Sequence, residues 1–201
     1  MAKDGYYFLT PLVVIALIFW WVGFSEIAFV PLVLGVGVIF FFRDPERNIT
    51  DDPQAVVSPA DGKIIRVEHK EDHVFVSIFL SILDVHVTRA PIEGVITKGE
   101  YQAGRFRIAY DERASVENEQ LVITIAGEHE LTFSLIAGII ARRIRFWKEK
   151  GQQVSKGDRI GLIRFGSRVD VMLPLHCQCV VKIGDRVMAG SSVIARWEQV
   201  A

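Results

Sequence analysis

The chain has 201 residues (22.6 kDa), with 23 basic and 24 acidic side chains and a mean hydropathy of +0.29. Half of its residues are apolar, which excludes a disordered chain, and a pI near 6.5 supplies no surplus of positive charge for a nucleic-acid backbone. Two cysteines, Cys177 and Cys179, are too few for a disulfide framework.

The apolar residues are unevenly spread. Of the 37 positions from Tyr6 to Phe42, 29 are apolar and one, Glu26, is charged. Tyr6 to Phe24 predicts a helix ~28 Å long against a hydrocarbon core of ~30 Å. Ser25-Glu26 interrupts it, and Ile27 to Phe42 predicts a second helix of ~24 Å, short of a full span. Aromatic residues cluster near the segment ends, as interfacial side chains do, and Lys3, Arg43 and Arg47 flank the pair. Residues 1–42 therefore read as a membrane-associated hydrophobic hairpin, spanning or re-entrant, with both flanks on the cytoplasmic side of the cell membrane.

Residues 43–201 carry no net charge and suit one domain with its own core. Asp44-Pro45, Asp51-Asp52-Pro53 and Ser58-Pro59 mark an extended connector, because the residue before a proline is steered away from helix. Short β-rich runs follow: Gly62 to Glu68, His73 to Leu80, Gly94 to Tyr101, Gln120 to Ala126, Leu131 to Ala137, Arg159 to Phe165 and Arg168 to Leu173. Gly138 to Trp147 reads as helix or strand. The expected fold is mainly β, a barrel- or sandwich-like domain behind a helical hairpin. A weak repeat, Val154-Ser155-Lys156-Gly157-Asp158-Arg159-Ile160 against Val181-Lys182-Ile183-Gly184-Asp185-Arg186-Val187, points to two similar hairpin turns. Similar half-motifs occur in biotinyl and lipoyl carrier barrels, so a membrane-anchored adaptor without catalysis is the competing reading. The lysine–methionine pair of those carriers has no counterpart here.

Chemistry concentrates at Ala189-Gly190-Ser191-Ser192. A serine hydroxyl can attack the preceding carbonyl when the backbone is strained and a base is near, and glycine before it permits conformations that other residues resist. The ester so formed can eliminate to dehydroalanine, which hydrolyses to a pyruvoyl group. Cutting between Gly190 and Ser191 would give chains 1–190 and 191–201.

With this segment in view, the sequence resembles the short phosphatidylserine decarboxylase proenzymes. Four separated motifs carry the likeness: Phe41-Phe42-Arg43-Asp44-Pro45-Glu46-Arg47, Ser58-Pro59-Ala60-Asp61-Gly62-Lys63, the run from Phe79-Leu80-Ser81 through Asp84-Val85-His86-Val87-Thr88-Arg89 to Pro91, and Ala189-Gly190-Ser191-Ser192. The resemblance implies that Ser191 becomes a covalent pyruvoyl group by autocatalytic serinolysis, that Asp61 is the acidic partner in self-cleavage, and that His86 is a general acid/base. It further implies a Schiff base with the amine of phosphatidylserine, release of phosphatidylethanolamine, and no metal. The two chains are expected to stay associated, and a homo-oligomer is compatible with the sequence. Longer members carry a second histidine three positions after the first; here that position is Arg89, also a candidate substrate contact. Histidine, with an ordinary pKa of ~6.5, suits proton transfer in both directions near neutral pH.

Other candidates carry less. His69, His73, His129 and His176 lack ligand-like spacing, and Cys177-Gln178-Cys179 would need further ligands to hold a metal. Arg142, Arg143, Arg145 and Lys148, beside Phe146 and Trp147, form either a solvated face or a contact for anionic headgroups. A pyruvoyl enzyme acting on a soluble amino acid is the second enzymatic reading; the hydrophobic hairpin argues against it.

Overall fold

Both uncharged runs form helices in a computed structural model that describes residues 1–104, 117–138, 143–164 and 167–198. Helix α1 is Asp4–Trp21 and helix α2 is Ser25–Phe41, joined through Gly23. Asp4 lies in the first turn of α1, where the helix dipole favours an acid. The helices pack through small residues: Ala16 and Ala28 are buried, and Gly35 faces Leu9. Most of their large apolar side chains, among them Leu17, Trp21, Phe29 and Leu34, are exposed. By length and composition α1 can cross a membrane; α2, at 17 residues, is shorter. Residues Met1–Glu46 form one unit and Arg47–Ala201 a second.

The second unit is built from strands. In chain order they are β1 (Ala55–Val57), β2 (Gly62–His69), β3 (His73–Leu80), β4 (Val87–Arg89), β5 (Gly94–Gln102), β6 (Gln120–Ala126) and β7 (Glu130–Ala137). After these come β8 (Ile144–Phe146), β9 (Gln153–Val154), β10 (Arg159–Ile163), β11 (Ser167–Pro174), β12 (Cys177–Cys179), β13 (Arg186–Val187) and β14 (Val193–Trp197). The seven long runs read from the sequence are β2, β3, β5, β6, β7, β10 and β11. Phe165 and the start of the 138–147 run lie partly outside the described residues, and the rest of that run holds β8.

Eight strands make one antiparallel sheet in the order β13-β2-β3-β11-β7-β6-β5-β9. Among the described residues it is an open sheet with β13 and β9 at its ends and does not close into a barrel. Two three-stranded sheets, β1-β14-β12 and β4-β10-β8, complete the described fold. Alternation supplies the core: Val76, Ile78, Phe133, Leu135, Val169 and Val171 all point into one apolar cluster. On the opposite face of β11, Arg168 and Asp170 are two residues apart and pair with each other, with Nε–Oδ1 and Nη2–Oδ2 both 2.9 Å. Their side chains are only 1% and 3% exposed, and Asp170 stands in register with Ser77 and Ser134.

The sequence repeat is one turn used twice. In each copy the aspartate carboxylate accepts the amide N–H three residues before it, Ser155 to Asp158 (3.1 Å) and Lys182 to Asp185 (3.0 Å). The aspartate N–H returns to the carbonyl of that same residue, and a strand follows directly, β10 after one and β13 after the other.

Candidate active site

The segment before β2 and the segment after β13 lie side by side because those strands pair, Val187 opposite Gly62 and Arg186 opposite Lys63. Gly62 is fixed by crowding: a Cβ there would collide with the Phe79 carbonyl of the neighbouring strand. The Ser58-Pro59-Ala60-Asp61 strap is thereby laid along Ala189-Gly190-Ser191-Ser192. Ser58 donates its N–H to the Ser192 carbonyl (2.7 Å) and accepts the Gly190 N–H (2.8 Å). Asp61 accepts the Ala189 N–H at 2.7 Å.

Met188 to Ser191 is a tight turn. The Met188 carbonyl accepts N–H from Ser191 (3.1 Å) and Ser192 (3.0 Å), while the Ser192 hydroxyl accepts the Met188 N–H (2.9 Å). Gly190 sits at φ +77°, the value a type II turn needs at its third residue. Space is equally restricted, since a Cβ on Gly190 would stand 2.8 Å from Ile49 Cδ1 and 3.1 Å from Arg89 Cδ. Ala189 and Gly190 are buried and Ser191 is half-buried.

Asp61 is held by more than the turn. Arg47 Nη2 lies 2.9 and 2.8 Å from its two oxygens, and the side chains are 9% and 13% exposed. Among the described residues, the bonds of Asp61 go to Arg47 and Ala189 and none goes to His86. In the sequence Arg47 stands out as a membrane flank and as the last residue of the Phe41–Arg47 motif, and neither feature pairs it with Asp61.

His86 is fully buried between β3 and β4. Its Nδ1 lies 2.9 Å from the Asp84 carbonyl, which can only accept, so Nδ1 carries a proton and donates it. The Asp84 side chain in turn fixes the loop, taking the Ser81 amide (2.8 Å) and hydroxyl (2.7 Å) on one oxygen and Arg186 (3.0 Å) on the other. Burial pushes the Asp84 carboxyl up, but the Ser81 bonds and then Arg186 outweigh it and hold the group below its ordinary value.

Arg89 is buried, and its alkyl stem meets Gly190. Its guanidinium donates to the Gly157 carbonyl (3.0 Å), and its N–H bonds Pro59 (2.9 Å). The side chain at the position of the longer members' second histidine thus packs on Gly190. Asp61, Arg89, Gly190 and Ser191 are gathered by these contacts, and His86 stands three residues before Arg89, just ahead of β4. This cradle, with a glycine held at positive φ ahead of a half-buried serine, fits a prosthetic group made from Ser191.

The remaining candidates sit apart. His129 and His176 stack on Trp197, with ring centroids at 4.2 and 5.4 Å. Burial pushes the Cys177 thiol up to about 12, helped by Cys179 and Glu198, which suits packing rather than reactivity. Arg142 lies outside the described residues, and Lys148 is 3.8 Å from Asp158.

Comparison with known proteins agrees with the motifs. The sequence model of the phosphatidylserine decarboxylase family matches residues 35–195. A phosphatidylserine decarboxylase proenzyme of Solibacter usitatus is 46% identical over 193 residues, covering 95% of this chain and 93% of its own length. Proenzymes of the same name from Burkholderia ambifaria and Burkholderia multivorans are 42% and 43% identical over 207 residues, each covering 99% of this chain and 97% of its own.

Proposed function

The chain belongs to the phosphatidylserine decarboxylase family, and from that premise we propose a membrane-attached enzyme that cuts itself between Gly190 and Ser191 and works through a pyruvoyl group derived from Ser191. The observation that carries the reading is the turn at 188–191, gripped by Ser58 and Asp61 with Gly190 at φ +77°.

In maturation, Ser191 Oγ attacks the Gly190 carbonyl carbon, and the acyl group moves from nitrogen to oxygen. Elimination then leaves a carboxylate on Gly190 and dehydroalanine at 191, and water completes the conversion with loss of ammonia. Asp61 keeps the Ala189 amide in place while the bond to Ser191 is made. Arg47 fixes that carboxylate and Arg89 packs on Gly190, so the reacting carbonyl has little freedom to turn away.

When formed, the pyruvoyl group supplies a ketone that takes the substrate amine and a sink for the electrons released with carbon dioxide. His86 offers Nε2 for proton transfer, its ring held by the Asp84 carbonyl. Once Nε2 carries a proton, His86 returns it to the serine Cα that has lost carbon dioxide, and phosphatidylethanolamine leaves. After cleavage, residues 191–201 stay bound because β14 is paired on both sides, with β1 and with β12, and buries Ile194, Ala195 and Trp197. The apolar helices attach the enzyme to the cell membrane with the catalytic domain on the cytoplasmic side.

Intact mass and a denaturing gel test the reading. Wild-type protein should resolve into chains 1–190 and 191–201, the smaller with a blocked terminus. Ser191→Ala should remain one chain and release no carbon dioxide from phosphatidylserine. An active, uncut Ser191→Ala protein would falsify the proposal.

A further inference from the structure

We propose that Ile82, Leu83 and Met188 form an aliphatic rim at the mouth of the site and that this rim enters the headgroup–acyl boundary of an anionic bilayer. These residues are 55%, 66% and 51% exposed. Their proximity follows from the sheet. Lys63 is in register with both Phe79 and Arg186, so the loop after β3 and the turn after β13 leave the same end of the sheet. The 3.0 Å bond between Arg186 and Asp84 ties the two segments together. Residues 186 and 188 lie two apart, on one side of the chain, with buried Val187 between them on the other.

Charge selects the occupant. Lys63 and Arg186 pair across β2 and β13 and are both exposed beside the rim. Aliphatic tips flanked by Lys63, with the 70%-exposed Arg186 side chain beside it on Asp84, suit a surface that is apolar within and anionic at its edge, as a bilayer of acidic phospholipid is. A partner protein would have no need of an approach beside Ser191. The inference rests on the lipid-substrate reading for its purpose: seated there, the site could receive a headgroup without drawing the acyl chains into water.

A depth measurement tests it on the full chain in nanodiscs of phosphatidylcholine with phosphatidylglycerol, neither of which is the substrate. A nitroxide is placed at Leu83→Cys in a Cys179→Ser background. The control is Leu175→Cys, an exposed aliphatic position (57%) just past the Pro174–His73 pair, at the far end of β3 and about 24 Å away along the strand. The label at 83 should relax more with oxygen than with a nickel chelate, and the label at 175 should show the reverse. In a second arm, Ile82→Asn/Leu83→Asn should self-cleave at the wild-type rate but turn over bilayer phosphatidylserine about tenfold more slowly, the scale of losing part of two apolar burials. A label at 83 as aqueous as that at 175, or one shielded from both reagents as in a protein contact, overturns the rim. If such an enzyme still decarboxylates phosphatidylserine, the proposed function stands without it. Loss of self-cleavage in the double variant would likewise sink the rim, by showing a packing role for the loop.

Discussion

Gly190 offers the sharpest test of how backbone geometry serves self-cleavage. Its φ of +77° is open to glycine, accessible to asparagine and costly for other residues, by ~1–2 kcal/mol. If that conformation is the one from which Ser191 attacks, Gly190→Ala lowers its population by roughly 5–30-fold and slows cleavage by the same factor. Packing adds a smaller penalty, because the added Cβ would meet Ile49 Cδ1 at 2.8 Å, yet Cδ1 is the free end of a side chain that can rotate. Ile49→Val in the Gly190→Ala background should therefore recover only a factor of a few. Cleavage rates should fall in the order Gly, Asn, Ala, Val at position 190. Conversion of full-length chain to the 190-residue fragment, followed on denaturing gels after synthesis is stopped, gives each rate. Wild-type cleavage in Gly190→Ala would refute the claim that the turn conformation is required. Full rescue by Ile49→Val would move the cause from backbone to packing.

Three further outcomes follow from contacts described above. Arg47→Ala and Asp61→Ala should each slow processing, and the double variant should be no slower than the slower single, because both remove one clamp; gel-based rates in a double-mutant cycle check this. Within β11, Arg168→Ala or Asp170→Ala alone should cost ~3–5 kcal/mol by leaving a charge buried without its partner, whereas Arg168→Met/Asp170→Leu should recover most of it, as read from thermal midpoints in detergent. The Asp84 carboxyl is held below its ordinary value, so the folded state binds its proton less readily than the unfolded chain. Its contribution is complete above about pH 4 and disappears as pH falls through the lower folded value, so the midpoint difference between wild type and Asp84→Asn should be constant from pH 7 to 5 and close in stronger acid.

The long strands could be read in the sequence because alternation is a local property. Val74-Phe75-Val76-Ser77-Ile78-Phe79 announces β3 without help from any neighbour. Strands β1, β4, β12, β13 and β14 are two to five residues long and exist only through partners far away in sequence, so no periodicity revealed them. The same divide separates the site residues. Gly190, Ser191, Asp61 and His86 stand out in the sequence as candidates because the motifs that carry them are local. Arg47 and Ile49 do not, because Arg47 acts through Asp61, 14 residues on, and Ile49 through a glycine that only the fold brings near. The mainly β domain behind two apolar helices is as expected, while whether its sheet is open could not be read locally, since closure depends on what the edge strands β13 and β9 meet.

Arg47 stands at the first position of the β-rich unit, yet its guanidinium seats the carboxylate that holds the Ala189 amide. Anyone shortening this protein to obtain a water-soluble form would naturally trim up to the first strand at Ala55, and would discard that grip along with the grease. Such a fragment should accumulate as immature precursor, whereas one beginning a few residues earlier, at Arg43, should ripen on schedule.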